Sequence, residues 1–263
     1  MNLHPQVSAC TGAPRVFGSS AIGPMHLQRE LPCQDACRYG VIGSDAVAIA
    51  VADGLGSAAR SETGAKLAVE SAFQFCSDVL SAPRAEETKL EDVVRNASAH
   101  AREAIESHAY EENCDLRDLA CTLIVVIASR GRFAVAHIGD GAVVAETEER
   151  LSISSGPGDS EYTNEVVPIT SSAWQDSLRI FASNSGVSAI AVFTDGCQRA
   201  TFSRSEGAII PFDRFFAPIF RYARQVTDET EGTKEIAVLL SSPKICEHSD
   251  DDKTLVVAVM GVD

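Results

Sequence analysis

Acidic residues recur beside apolar runs along this chain, and carboxylates are the side chains that bind hard cations. Asp53, Asp140 and Asp195 each come directly after a run typical of a buried strand, and each is followed by glycine. Three further aspartates, at 250–252, stand shortly before the last apolar run. A single Asp-Gly pair is a frequent turn, so each position alone could simply end a strand. Their recurrence at four strand ends favours one cluster of carboxylates.

Asp35 adds a fifth candidate, in a polar, proline-containing loop that precedes the strand ending at Asp53. Neighbouring strands of one sheet or sandwich could bring these side chains together, but carboxylates a few Å apart repel each other unless a cation lies among them. Oxygen ligands without a matching set of His or Cys favour Mg²⁺ or Mn²⁺ over zinc. Several carboxylates in one pocket suggest two cations about 3.5–4 Å apart, an arrangement that activates a water and holds a phosphoryl group.

The elements that could position these residues follow from the hydrophobic periodicity, in which a repeat of about 3.6 residues predicts helices. The predicted strands cover residues 15–21, 39–42, 47–52, 122–128, 133–138, 142–147, 189–194 and 255–260. The predicted helices cover residues 61–80, 89–110, 212–222 and 230–240. Between residues 151 and 186 the sequence is rich in Ser, Gly and Pro, which predicts a surface region with short strands near 166–169 and 178–182.

Composition restricts the classes of partner and compartment. The chain has 263 residues, a hydrophobic content of 45% and a formal net charge of −15. This charge argues against nucleic acid and anionic membranes as partners, and no apolar run approaches the roughly 18 residues of a membrane-spanning helix. No signal peptide is evident and the eight cysteines form no Cys-x-x-Cys pair, so we expect a cytoplasmic protein with free thiols. We also expect a loose N-terminal arm at 1–15 and one domain at 16–263.

Six short motifs occur in one order across nearly the whole chain. They are Pro-Cys-Gln-Asp-Ala at 32–36, Val-Ala-Asp-Gly-Leu-Gly-Ser at 51–57, Ala-Cys-Thr-Leu at 120–123, His-Ile-Gly-Asp-Gly at 137–141, Phe-Thr-Asp-Gly at 193–196 and Asp-Asp-Asp-Lys-Thr at 250–254. The ordered set resembles the metal-dependent serine/threonine protein phosphatases of type 2C, in their compact bacterial branch. The resemblance implies an α+β fold: a four-layer α-β-β-α sandwich of two mainly antiparallel sheets flanked by helix pairs, with the cations at one edge between the sheets.

The resemblance also implies which residues hold two or three Mg²⁺ or Mn²⁺ ions. Asp53 is expected to bridge two ions, with the Gly54 carbonyl as a further ligand of one. Asp195 and Asp251 are expected to bind the other ion together with Asp53. Asp251 is chosen because Asp-Asp-Lys-Thr matches the family's Asp-Asn-x-Thr. This choice puts an aspartate where the family usually has asparagine, so the acidic neighbours of Asp251 stay open as alternatives.

The remaining site residues include two departures from the family pattern. By resemblance, Asp35 reaches an ion directly or through water, and Asp140 binds a third, weaker ion shared with Asp35. Many members carry His directly after the Asp-Gly pair as a proposed proton donor, but here the residue is Leu55. They also carry Arg before the first acidic motif to bind phosphate. Here His26 is the preferred phosphate contact or proton donor, with a structural loop histidine as the alternative, and Arg29 is the second choice.

The implied reaction is Mg²⁺- or Mn²⁺-dependent hydrolysis of phosphoserine and phosphothreonine in proteins, with Asp53 and Asp195 as central catalytic residues. A metal-activated water would attack phosphorus while positive charge neutralises the phosphoryl oxygens. We expect a monomer whose partner is a phosphorylated protein. Two alternatives stay open. One is a pseudophosphatase that binds without turnover, supported only by Gln34 and Leu55, and the other is a phosphatase of small phosphate esters or nucleotides.

Overall fold

The computed structural model describes residues 12–83, 85–129, 131–148, 150–156 and 166–261. The predicted N-terminal arm, 1–15, lies mostly outside these ranges, and so does part of the predicted surface region between 151 and 186. The expectations for those parts, and the domain boundaries, therefore stay predictions.

Two antiparallel five-stranded sheets form the centre of the described structure. The strands are β1 (Arg15–Ala21), β2 (Ala36–Ile42), β3 (Ala46–Ala52), β4 (Leu123–Ser129), β5 (Arg132–Ile138), β6 (Ala142–Glu146), β7 (Leu151–Ser155), β8 (Arg179–Ser183), β9 (Ala189–Phe193), β10 (Phe202–Ser205), β11 (Ala208–Pro211) and β12 (Lys253–Val259). The first sheet has the strand order β1-β12-β9-β6-β7, and the second has β2-β3-β4-β5-β8. Strands β10 and β11 form a separate hairpin.

Helices cover the outer face of each sheet. The helices of the described residues are α1 (Pro24–Gln28), α2 (Ser61–Ser81), α3 (Leu90–Glu111), α4 (Trp174–Ser177), α5 (Gln198–Thr201), α6 (Asp213–Gln225), α7 (Glu229–Leu240) and α8 (Pro243–Cys246). The long α2 and α3 pack on each other and on the second sheet, whereas α6 and α7 pack on the first sheet. The layers therefore run helix pair, sheet, sheet, helix pair, which confirms the predicted four-layer sandwich.

The central strands are covered on both faces, which explains why their sequences are continuously apolar. All seven residues of β3 are buried. Because successive side chains of a strand point to opposite faces, Ala48 and Ala50 contact the core beneath α2 and α3, whereas Ile49 and Val51 contact the core between the two sheets. Small alanines on the helix side allow α2 and α3 to lie close to the sheet.

Most predicted elements are confirmed, with bounds that differ by a few residues. The predicted strand at 166–169 is wrong, because these residues form no strand. Pro168 has no N–H to donate to a ladder, and the Ile169 N–H instead donates to the Cys121 carbonyl at 2.9 Å. The sequence also gave no expectation of β7 or of the β10–β11 hairpin. Their residues are half-buried or exposed, so their apolar pattern is weak.

The chain passes from one sheet to the other between β5 and β6, at residues 139–141. Gly139 has φ = 111°, and a Cβ there would lie 2.5 Å from the side chain of Thr122. Only glycine combines this backbone conformation with this close approach. The crossing leaves Asp140 at the edge of the sandwich, between the two sheets.

Two further expectations concern thiols and membranes. The cysteines at 33, 37, 76, 114, 121, 197 and 246 are free, as predicted for the described part of the chain. Within the described ranges, no helix combines the length and the apolar character that crossing a bilayer requires.

Candidate metal centre

A cavity of about 210 Å³ opens at the edge of the sandwich where several strands of both sheets end. Its lining mixes carboxylates with a few apolar side chains, consisting of Met25, His26, Gln34, Asp53, Gly54, Leu55, Gly56, Thr122, Asp140, Val166, Asp195, Asp251 and Asp252. All but one of the predicted metal-binding residues line this cavity, the exception being Asp35.

Three of the predicted aspartates converge closely. Asp53, Asp140 and Asp195 each offer a carboxylate oxygen within 4.8 Å of the others. Asp53 follows β3 of the second sheet, Asp195 follows β9 of the first sheet, and Asp140 lies where the chain crosses between them. The backbone of Asp53 is fixed by Thr122, whose N–H donates to the Asp53 carbonyl at 2.8 Å and whose hydroxyl accepts from the Asp53 N–H at 2.9 Å.

The electrostatics of the cluster oppose ionisation of the carboxyl groups. Burial, followed by the neighbouring carboxylates, raises the pKa of Asp53 well above its usual value. Burial, with Asp140 and Asp251 next in importance, raises the pKa of Asp195 to about 6. Burial also raises the pKa of Asp140. Such shifts arise when negative charges are gathered in a desolvated site without a compensating cation.

The donor set fits Mg²⁺ or Mn²⁺. It consists of oxygen atoms, and Oδ1 of Asp195 is buried without a hydrogen-bond partner among the described residues. A buried carboxylate oxygen without a donor is accounted for by a coordinated cation. Asp53, Asp140, Asp195 and Asp251, with the carbonyl of Gly54, are the groups that could hold the ions.

Asp35 lies next to this cluster but not on the cavity wall. Its Oδ2 accepts hydrogen bonds from the hydroxyls of Thr194 and Thr254, at 2.7 and 2.8 Å. Burial raises the pKa of Asp35 to about 7, and the two hydroxyl donors oppose that shift. Since Oδ2 is occupied, Oδ1 is the oxygen left for an ion or a water. The expectation that Asp35 is a ligand stays a prediction.

The three consecutive aspartates before β12 have different environments. Asp251 lines the cavity, and its charge raises the pKa of both Asp53 and Asp195. Asp252 is almost fully buried, and both of its carboxylate oxygens already accept hydrogen bonds. The arrangement favours Asp251 over Asp252 as a ligand, in line with the predicted assignment.

His26 and Arg29, the two candidate phosphate contacts, lie in different surroundings. His26, on α1, is only 4% exposed and lines the cavity. Arg29 directly follows α1, is exposed and is not among the residues that line the cavity. Leu55 also lines the cavity, at the position where many type 2C phosphatases carry histidine.

Sequence reasoning missed several residues that support the site. Thr194 and Thr254 hold Asp35, and Lys253 is buried with its Nζ donating to the Asp251 carbonyl. Asp252 was considered only as an alternative ligand, whereas it anchors a loop through its hydrogen bonds. One signal was available, since both threonines lie within acidic motifs, at 193–196 and 250–254.

The sequence model of the Protein phosphatase 2C family matches residues 22–241. The chain belongs to this family. Serine/threonine-protein phosphatase 3 of Escherichia coli (strain K12) is 32% identical over 252 residues, which cover 93% of this chain and 98% of that protein. The family recognised from the six motifs is therefore confirmed.

Solved protein phosphatase 2C structures support the fold. The catalytic domain of serine/threonine protein phosphatase PstP in complex with two manganese ions matches with a TM-score of 0.63 at 18% identity, covering 95% of this chain and 99% of that one. A Mycobacterium tuberculosis PstP/Ppp structure matches with a TM-score of 0.63 at 16% identity, covering 94% and 99%. At these identities the likeness concerns the fold alone.

Proposed function

We propose that this protein phosphatase 2C family member hydrolyses phosphoserine and phosphothreonine in proteins. The observation that carries the proposal is the convergence of Asp53, Asp140 and Asp195, each with a carboxylate oxygen within 4.8 Å of the others, beside a cavity in this family's fold. The 32% identity to a protein named serine/threonine-protein phosphatase 3 supports the choice of substrate class.

The cofactors in this proposal are two Mg²⁺ or Mn²⁺ ions, with Asp140 and Asp35 available for a third. Asp53 would bridge two ions, the Gly54 carbonyl would complete one, and Asp195 and Asp251 would hold the other. The PstP structure with two manganese ions supports this number. When bound, such ions supply an activated water for attack on phosphorus and neutralise charge on the phosphoryl oxygens.

Among the chain's own side chains, His26 is the first choice for acting on the phosphate ester, either as a phosphate contact or as the proton donor to the leaving group. Among the described residues that line the cavity, it is the only one whose side chain can carry positive charge. Arg29, the second choice, is exposed on the same segment and would have to turn toward the cavity to contact phosphate. Met25 and Leu55 line the cavity with apolar surface, which limits the water around a bound phosphate.

The proposal includes a phosphorylated protein as partner, a monomeric state and a cytoplasmic location. The substrate class rests on the family, and the cytoplasmic location rests on the cysteine usage. The formal charge of −15 supports a partner other than nucleic acid or an anionic membrane surface.

The test is turnover with Mn²⁺ of a phosphothreonine peptide, of p-nitrophenyl phosphate and of a nucleotide panel. We expect the peptide to be preferred over nucleotides, and Asp53→Asn to abolish turnover of all substrates. Asp78→Asn, an exposed aspartate on α2, is the control and should retain activity. Peptide binding without any turnover would favour a pseudophosphatase, and faster turnover of nucleotides would favour a small-ester phosphatase.

A further inference from the structure

We propose that Asp252 positions His26 so that its Nε2 donates the proton that the serine or threonine oxygen needs when it leaves phosphorus. This inference rests on the proposed function and deepens it, because it assigns the leaving-group acid in a chain that has Leu55 where many members carry histidine. His26 is then a catalytic residue, and Asp252 is a positioning residue.

The side chains of His26 and Asp252 are in direct contact. Nδ1 of His26 lies 2.8 Å from Oδ2 of Asp252, and the two residues are only 4% and 2% exposed. A carboxylate can only accept a hydrogen bond, so the shared proton is assigned to Nδ1. Nε2 is then the ring nitrogen left for a ligand in the cavity that His26 lines.

Asp252 is itself fixed in place by backbone hydrogen bonds. Its Oδ1 accepts from the Gly23 N–H at 2.7 Å, and its Oδ2 also accepts from the Gln34 N–H at 2.6 Å. These donors flank α1 on both sides, so one carboxylate ties the loop that carries His26 to the start of β12. A catalytic side chain supported in this way keeps its orientation with little loss of entropy on substrate binding.

The leaving oxygen of the substrate needs a proton donor. A serine or threonine alkoxide is a poor leaving group, so cleavage of its bond to phosphorus is helped by a proton delivered to that oxygen. Among the described residues that line the cavity there is no lysine, arginine, tyrosine or second histidine to deliver it.

The proposed step is balanced. The hydroxide oxygen forms a bond to phosphorus while the bond between phosphorus and the serine or threonine oxygen breaks. The electron pair of the broken bond goes to that oxygen, which takes the proton from Nε2 of His26. The products are inorganic phosphate and the free hydroxyl side chain, and His26 regains a proton from solvent before the next turnover.

Replacing Asp252 with asparagine is a mild way to perturb its contact with His26. Asp252→Asn restores the residue that the family usually has there, so the fold should tolerate it. Its side-chain nitrogen cannot accept a hydrogen bond, so it cannot serve all three N–H donors that the carboxylate serves. Whichever way the amide is turned, at least one of the hydrogen bonds that order the segment carrying His26 is lost, so His26 should be held less firmly while remaining present.

The experiment compares kcat for a phosphothreonine peptide with kcat for p-nitrophenyl phosphate, whose leaving phenolate needs no proton. His26→Ala should lower the ratio of the two kcat values by about 100-fold or more. Asp252→Asn should lower the same ratio by about 10-fold. The double variant should be no worse than His26→Ala alone, because the positioning residue acts only through His26.

Two further variants keep the test decisive if His26→Ala folds poorly. His26→Asn places an amide nitrogen near the position of Nδ1, so it can still donate to Asp252 but cannot transfer a proton, and it should lower the ratio as His26→Ala does. Leu55→His in the His26→Ala background should recover part of the lost peptide turnover. Gln28→Ala, an exposed side chain on α1, is the matched control and should leave the ratio unchanged.

The outcomes separate this inference from the proposed function. Equal losses on both substrates in the His26 variants would overturn the inference, since they indicate phosphate binding or a structural role. An Asp252→Asn enzyme with an unchanged ratio would remove the positioning role. No turnover of either substrate by the unaltered enzyme with Mn²⁺ would instead reject the proposed function itself.

Discussion

The space between the two sheets has an apolar middle and a polar edge, although the same strands build both. On β3, Ile49 and Val51 face the apolar core between the sheets, and Asp53 continues the same row two residues later. On β12 the row runs back from Val256 to Thr254 in the same way. A period of two therefore carries the inward-facing row from the core into the metal centre.

The two regions contribute to stability with opposite signs. Burying an isoleucine or valine side chain stabilises the fold by about 1.5–3 kcal/mol. The carboxylates at the edge destabilise the folded state when no cation is bound, because burial and mutual repulsion raise the pKa values of Asp53 and Asp195. The core therefore holds the two sheets together, and this allows the edge to concentrate negative charge for a ligand.

The largest effect should come from Asp195→Asn, which removes one negative charge from the polar edge. We expect the turnover of p-nitrophenyl phosphate with Mn²⁺ to fall by at least about 100-fold, because a ligand is lost. The melting temperature of the metal-free protein should rise, because one member of the repelling cluster becomes neutral. Calorimetric scans with a chelator measure the second effect, and a lower melting temperature would contradict the destabilising role of the edge.

The next largest effect should come from Ile49→Ala, which truncates a side chain of the apolar core between the sheets. Ile49 is 1% exposed, and its truncation should lower the free energy of unfolding by about 2–5 kcal/mol. Mn²⁺ affinity of the folded variant should be unchanged, since Ile49 does not line the cavity. Urea unfolding and titration calorimetry measure the two quantities. A large loss of Mn²⁺ affinity would show that the two regions are coupled.

The smallest effect is the pH dependence of the free energy of unfolding of the metal-free protein. The pKa of Asp195 is about 6 in the folded state against 3.8 as its ordinary value. As pH rises from about 4, Asp195 ionises first in the unfolded chain, so its contribution to the free energy of unfolding should fall, on the order of 1–3 kcal/mol, until about pH 7. Burial and the nearby Arg179 lower the pKa of His137 from 6.5 to about 3, so His137 opposes this fall between those two pH values, where only the unfolded chain carries its proton.

The difference in melting temperature between the unaltered protein and Asp195→Asn isolates the carboxylate contribution, because His137 is common to both. That difference should grow from pH 4 to pH 7 in chelator. Excess Mn²⁺ should reverse its sign at neutral pH, since the ion binds the ionised cluster and stabilises only the folded state. A difference that is independent of pH would show that Asp195 titrates normally.

Periodicity and spacing predicted most of the strands, the long helices and the convergence of Asp53, Asp140 and Asp195. These features can be recognised from local sequence, because each of these aspartates closely follows an apolar run. The stacking of the layers came from the family resemblance, since periodicity does not say which faces meet.

Other features could not be predicted because their partners are remote backbone groups. Asp252 accepts from the N–H groups of Gly23 and Gln34, which every residue except proline possesses, so no sequence pattern reveals the contact. The crossing at residues 139–141 was likewise hidden, since a glycine-flanked aspartate is equally typical of an interruption within one strand.

The position of β12 has a consequence for the order of folding. This strand lies between β1 and β9, and Ala21 pairs with Lys253 at the far end of the chain. Loop closure over such a separation is slow compared with hairpin formation, so the first sheet should be the last part to assemble. During synthesis on the ribosome, β1 cannot pair with β12 until that strand has emerged. Hydrolytic activity should therefore appear only after β12 has joined the sheet.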